Sequence, residues 1–322
     1  MKHVRTRVAA FAAALILCAP ASAVAQGEGT NGATVLQMLA GGRASALSGA
    51  YTAATMDADV LFYNPAGAAG LGAAASVSYQ RHVEDIGLAT GAGAYRFGNM
   101  VLGVSAIFLD YGDIREFVPD PDFGGQTGMP TGSTVSASEV AARLTGALPL
   151  ADGRFNLGAS LGYVSTDLAG IGRGAPFVDI GGQYLRAGLT IGASVRNIGS
   201  AMSGAGVADA DLPREARFGA MYEFARETGF GGAVSADLVA GLNGGSSGIL
   251  AGFEAGLLPR GASRVGAVAR AGYDLGVGDG GQGALAIGGG VSLGPLAVDY
   301  TYQNYDLFGS LHRVGVRWAR LP

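Results

Sequence analysis

Few side chains in this 322-residue chain stand where chemistry would need them. The stretch "GASLG", Gly158–Gly162, has the spacing of a nucleophile elbow, which sets a serine on a sharp strand-to-helix turn within reach of a histidine. Ser160 falls instead in the middle of a strand-like run. Beyond the N-terminal His3, the only histidines are His82 and His312, both near strand ends with no fixed partner. "GVGDGG", Gly276–Gly281, formally fits a dinucleotide-binding pattern with Asp299 downstream, but strands flank it, so it reads as a hairpin loop. Asp120/Asp122 and Asp209/Asp211 put oxygen ligands in two polar loops without calcium-loop spacing, and read as solvated acids. No catalytic, metal or cofactor site is expected, and the chain is not expected to be an enzyme.

The charges that do form a pattern lie on the polar faces of alternating segments. In "PLAVDYTYQNY", Leu296, Val298, Tyr300 and Tyr302 oppose Ala297, Asp299, Thr301 and Gln303; in "EARFGAMYEF", Phe218, Tyr222 and Phe224 oppose Arg217, Gly219 and Glu223. Period two of this kind marks strands with unlike sides. About fourteen such runs follow Ala73: 73–82, 87–97, 100–110, 134–148, 153–166, 175–185, 186–197, 214–225, 230–240, 247–258, 263–274, 282–293, 295–305 and 309–320. Their polar faces carry Glu139, Arg143, Arg196, Arg217, Glu223, Asp237, Glu254, Arg270, Asp274, Asp299, Arg313 and Arg317, a density of mixed charge that suggests an interior cross-linked by ion pairs or wetted. Asp179 joins them as a further inward carboxylate. A greasy tunnel along the full length is not expected, although a pocket near the long loops remains open.

Composition points the same way. The chain is 49% hydrophobic and only 14% charged, yet after the N-terminus no apolar run approaches the ~20 residues of a membrane helix. Apolar surface without helices is what a transmembrane β-barrel requires, because strands satisfy each other's backbone and only alternate side chains face lipid. Connectors taken alternately are short ("FGNM", "PLADG", Leu185-Arg186, "RETG", "PRGA", "LGPL"), while the other set holds two long polar stretches, 111–133 and 199–213. That asymmetry, with an even strand count, places both barrel ends on the periplasmic side. Tyr79, Phe97, Phe108, Tyr163, Tyr184, Phe224, Phe230, Tyr273, Tyr305 and Trp318 gather towards strand ends, where membrane girdles belong. Glycine, 57 residues, alternates with apolar residues, leaving room on an inner wall for bulky neighbours and an inserted plug.

The N-terminus has a basic start, an apolar run "VAAFAAALILCAP" and small residues Ala23 and Ala25, so 1–25 reads as a Sec signal peptide cleaved after Ala25. Cys18 lacks the small residue before it that lipidation needs. Cleavage removes Lys2, Arg5, Arg7 and no acid, leaving 18 cations, all arginine, against 25 acids, net −7. Such a chain is a poor partner for nucleic acid.

Residues 26–72 do not alternate. "GATVLQMLAGG" suits a short helix ended by Gly41-Gly42, and Asn64-Pro65 reads as a helix start, Asn as N-cap and Pro at the first position. Proline breaks a strand ladder, so within a barrel this segment belongs inside the lumen as a hatch. The expected organisation is signal peptide 1–25, hatch 26–72 and barrel 73–322.

"LQMLAGGRASALSGAYTAATMDADVLFYNPAGAAGL", Leu36–Leu71, resembles the N-terminal segment of PorV/PorQ-family outer-membrane proteins, which belong to the FadL-like fourteen-stranded barrels. The matching positions are Gly42-Arg43-Ala44, Ala46, Gly49-Ala50-Tyr51, Asp57 or Asp59, and Tyr63, Asn64, Pro65, Ala66 and Gly67. The last strand, "GSLHRVGVRW", is also similar. The family's paired acids are here split by Ala58, and the chain ends "WARLP" rather than on an aromatic. The resemblance implies a hatch in the periplasmic half of the lumen and an outer-membrane location. It implies as partners membrane lipid, the barrel-assembly machinery, and secreted cargo or secretion-system proteins of type IX secretion, with the long loops as their docking surface. The alternative is FadL-like passive uptake of small hydrophobic molecules, with the hatch as gate and a kinked wall strand as exit; a purely structural or adhesive barrel is a third reading. Arg43 is expected either to reach a lumen carboxylate (Glu139, Asp179, Asp237, Glu254 or Asp299) or to lie in solvent.

Overall fold

The computed structural model describes residues 31–81, 86–124, 126–204, 207–225, 229–243, 247–257, 265–276, 285–305 and 309–320. The expected signal peptide 1–25, His82 and most of the glycine-rich "GVGDGG" lie outside these residues. Strands follow one another along the chain: β1 (Ala73–Arg81), β2 (Gly87–Phe97), β3 (Met100–Pro119), β4 (Gly128–Leu150), β5 (Phe155–Leu168), β6 (Ile171–Arg186), β7 (Leu189–Gly199), the short β8 (Met202–Gly204) and β9 (Val207–Ala210), then β10 (Glu215–Ala225), β11 (Phe230–Gly241), β12 (Gly248–Leu257), β13 (Val265–Asp274), β14 (Leu285–Leu293), β15 (Leu296–Tyr305) and β16 (Gly309–Arg320). Each pairs antiparallel with the next; β7 passes over β8 and β9 to pair with β10, and β16 pairs with β1 from Ala73↔Arg320 to Arg81↔His312. The wall is therefore a closed fourteen-stranded antiparallel barrel, as the alternation predicts.

The two faces of each strand behave as their residues dictate. On β15 and β16, Val298, Tyr300, Val314 and Trp318 are exposed while Asp299, Thr301 and Arg313 are buried. Outward Tyr95 and Phe97 pack edge to face, as Phe155 packs on Tyr184 and Phe224 on Phe230, ringing the end of the barrel where β1 begins and β16 ends. Tyr79, Phe108, Tyr163 and Tyr273 stand outward nearer the loop end. No described helix is long and apolar enough to cross a membrane.

The long connectors depart from expectation. Residues 111–133 are not an irregular loop: β3 runs on to Pro119 and β4 starts at Gly128, so the wall extends into a protruding hairpin. Both faces of this extension are exposed, as at Ile114, Phe117 and Met129, so no two-sided contrast marks it in the sequence. Its tip is a short turn, Pro121–Phe123, whose Asp120 accepts from the Asp122 amide. The 199–213 connector contains β8 and β9 and folds inward, burying Met202 and Leu212. The β6–β7 turn is Ala187-Gly188, two residues later than Leu185-Arg186.

Candidate functional site

Residues 31–72 run through the barrel from the loop end to the end where β1 begins. At the loop end, the Gly32 amide donates to the Asp211 carbonyl at 2.9 Å and the Val35 amide to Glu139 Oε2 at 2.8 Å. At the other, Gly72 donates to the Arg320 carbonyl, and Arg96 on β2 donates to the carbonyls of Ala69 (2.7 Å) and Leu71 (3.0 Å). Local order differs from expectation: Thr34–Leu36 is a single 3-10 turn, and Gly41-Gly42 start a helix, α1 (Gly42–Ala46), rather than end one. Gly41 has φ of 81°, which lets the chain turn there, and Gly42 lies against Asp299 and Gly315 of the wall.

Asn64 N-caps the 3-10 helix Pro65–Gly70, accepting from the Ala66 amide at 3.1 Å. Its amide nitrogen donates to the Thr52 carbonyl at 2.8 Å, with the Gly182 and Ala193 carbonyls beyond at 3.3 and 3.5 Å. The wall has glycine where the backbone comes closest: a Cβ at Gly158 would overlap the Pro65–Ala66 backbone, and one at Gly181 would overlap the Asn64 side chain. Gly67 in turn faces the Ala54 carbonyl. Tyr63 is pinned by its hydroxyl, which donates to the Ala40 carbonyl (2.9 Å) and accepts from the Ala40 amide (3.0 Å). Arg196 and Arg217 lie 5.9 and 5.5 Å from its ring centre.

Arg43 is buried and reaches the fourth of the five carboxylates considered, Glu254, through Nε at 3.1 Å and Nη2 at 2.5 Å. It also bonds Asp57 at 3.0 Å. From Glu254 the chain of ion pairs continues to Arg270 (2.8 Å), Asp299 (2.7 Å), Arg317 (2.5 Å) and back to Asp57 (3.2 Å). Three arginines and three carboxylates thus alternate in a closed ring, two members from the plug and four from β12, β13, β15 and β16. Arg270 and Asp299 are two strands apart and meet over β14 because Gly290 lies between them; a Cβ there would collide with both. Full pairing is what makes charges tolerable away from water.

The remaining predicted lumen charges form separate ties. Asp237 caps the plug, accepting from the Tyr51 and Thr52 amides and the Thr52 hydroxyl at 3.1, 2.9 and 2.6 Å. Arg217 donates to the Gly49 carbonyl (2.7 Å), and Arg196 pairs with Glu215 (2.5 Å). Arg143 pairs with Asp179 at 2.9 Å and lies over the Phe177 ring, with neither Nη atom hydrogen-bonded. Glu139 also accepts from Tyr111, and Arg313 is held by Gln80 across the β1–β16 seam. Glu223 is exposed at the rim, and Asp274 half-buried. Sequence reasoning passed over Arg96, Gln183 and Ser194, which all donate to plug carbonyls. Their inward register position was the available signal.

Towards the loops, Leu88, Ile107, Leu109, Val164, Phe177, Met202 and Leu212 join Val35 and Leu36 of the plug in an apolar cluster that continues along the plug to Tyr63 and Leu71, with buried Glu139 and the Arg143–Asp179 pair beside it. A polar void of about 100 Å³ beside Gln37, Leu39 and Arg217 adjoins the plug. Ser160 Oγ is buried mid-strand against Thr145 Oγ1 at 2.8 Å, and His312 lies outward on Tyr300, away from Ser160. Among the described residues no metal-binding group of His, Cys, Asp and Glu occurs.

The sequence matches no protein-family model and no curated protein. Solved structures do match in fold. The Ralstonia pickettii toluene transporter TbuX superposes with a TM-score of 0.58 at 14% identity, over 87% of this chain and 98% of that one. The CymD monoaromatic hydrocarbon channel gives 0.60 at 12%, over 88% and 98%. A Pseudomonas aeruginosa FadL homologue gives 0.54 at 11%, over 87% and 98%. The barrel of this chain therefore shares the fold of these structures over most of its length.

Proposed function

We propose that this protein is an outer-membrane barrel that admits small hydrophobic molecules from the loop side, with residues 31–72 as its hatch. The observation that carries this reading is the apolar cluster that Val35 and Leu36 of the protein's own plug join with Leu88, Ile107, Leu109 and Phe177 of the wall, side chains a greasy solute could contact in their place. The names of the structural neighbours, a toluene transporter and a monoaromatic hydrocarbon channel, support the same solute class. The test is binding of toluene and of a medium-chain fatty acid to the purified barrel. If the plug competes with solute, Val35→Ser/Leu36→Ser binds several-fold tighter than wild type, because less of the population is self-occupied. Absence of binding by both proteins refutes the proposal.

The PorV/PorQ resemblance favours a second reading, a surface carrier in type IX secretion. Its specific support is the ion-paired layer that bolts the plug to the wall, since a carrier needs no passage. No matched structure named above is a secretion component. Gentle extraction from native membranes followed by mass spectrometry separates the two: exported proteins in the complex favour the carrier, bound hydrophobic solute favours uptake.

A further inference from the structure

The ring of three arginines and three carboxylates is balanced, yet a fourth carboxylate lies against it. Asp59, in the 3-10 helix Ala58–Phe62, is 1% exposed, and neither of its oxygens has a hydrogen-bond partner. It is wedged against Gly41, where any Cβ would overlap its carboxyl group, and beside Ser76 of β1, whose buried hydroxyl faces it outside hydrogen-bond geometry and is the neutral dipole that favours its ionised form. Its amide donates to Asp57, so two acids share one turn. Among the described residues, the charged and phenolic groups that face it are committed elsewhere or of the same sign. Arg317 on β16 is taken by Asp299 and Asp57, and Asp299 on β15 is itself an acid. Tyr51 is bonded to Asp57 and Tyr63 to Ala40. An ionised Asp59 would be the unmatched charge of the cluster, and burial makes that unfavourable.

We propose that Asp59 is a proton-operated latch: neutral, it lets the Ala58–Phe62 turn of the plug seat between Gly41 and β1, and ionised, it loosens that turn from the wall. This goes beyond the uptake reading and holds whatever the barrel passes. Desolvation, with Asp57 adding repulsion, pushes its carboxyl up to about 7. The sign follows. Between an undocked value near ~4 and the docked value, only the docked form holds the proton, so docking weakens as pH rises through that window and is flat above it.

The experiment is amide hydrogen exchange of peptides spanning 57–64 in the folded barrel, from pH 5 to 8.5, corrected for intrinsic exchange, in wild type and Asp59→Asn. The ratio of wild-type to variant protection is expected to fall roughly tenfold per pH unit from pH 5 to 7 and then level off. A ratio that stays flat throughout overturns the proposal. Should Asp59→Asn not fold, Ser76→Ala serves: loss of the hydroxyl that favours the ionised form moves the wild-type midpoint upward, and an unmoved midpoint also overturns it.

Discussion

Arg43→Ala should unseat the plug without unfolding the wall. The substitution removes three bonds to carboxylates, at 3.1 and 2.5 Å to Glu254 and 3.0 Å to Asp57, and a fourth at 3.2 Å to the Tyr51 hydroxyl. Breaking a buried ion pair from one side costs about 3–5 kcal/mol, because the partner keeps its charge in a poorly hydrated place. Glu254 retains Arg270 and Asp57 retains Arg317 and Tyr51, which sets the loss at the low end, about 3 kcal/mol. At 1.4 kcal/mol per decade this raises the population of undocked plug roughly 150-fold. A thiol at buried Ala44 reports it, since the chain's one cysteine, Cys18, precedes the expected cleavage site. The labelling rate of Ala44→Cys should rise by about that factor in Arg43→Ala, while Arg115→Ala on the exposed hairpin leaves it unchanged. Replacing the pair, Arg43→Met with Glu254→Met, should recover much of the loss. Labelling within threefold of wild type in Arg43→Ala would show that the ring does not hold the plug.

Asn64→Ala loses both its cap and its bond to the Thr52 carbonyl, and about 1–2 kcal/mol of plug docking, visible as faster proteolysis within 55–70 at unchanged barrel heat-modifiability. Gly158→Leu overlaps the Pro65–Ala66 backbone, so the wall should still close while ion conductance in planar bilayers rises; conductance equal to wild type counts against close packing there. Ser160→Ala should leave ester hydrolysis at the background of wild type, and any hydrolysis that this variant abolishes would reopen the elbow pattern.

Where lipid and lumen differ most, the wall was legible in the sequence. The β15 alternation of Tyr300 and Tyr302 against Asp299 and Thr301 predicts both its ends to within a residue. The β3–β4 extension was not, because beyond Asp110 both faces of the hairpin meet the same surroundings and Pro119, Pro121 and Pro130 look like loop. Asn64-Pro65 announced a capped turn, and the structure places it where glycines 158 and 181 leave room. The ring was half visible: Arg43 and its candidate partners could be named, but not the order of pairing. Arg270 and Asp299 lie 29 residues apart and meet only through strand register and Gly290. Asp59 was invisible as a special acid, since nothing local says that every nearby arginine is already taken.

The ring also fixes an order of events. Its members come from the plug, β12, β13, β15 and β16, and Arg317 lies three residues from the end of the last strand. Arg313 and Gln80 tie that same strand to β1 across the seam. The ring, unlike the ties from Asp237, Gln183 and Ser194, therefore closes only once the final strand is in place. A barrel without its last strand would keep those ties but leave Asp57 and Asp299 without Arg317.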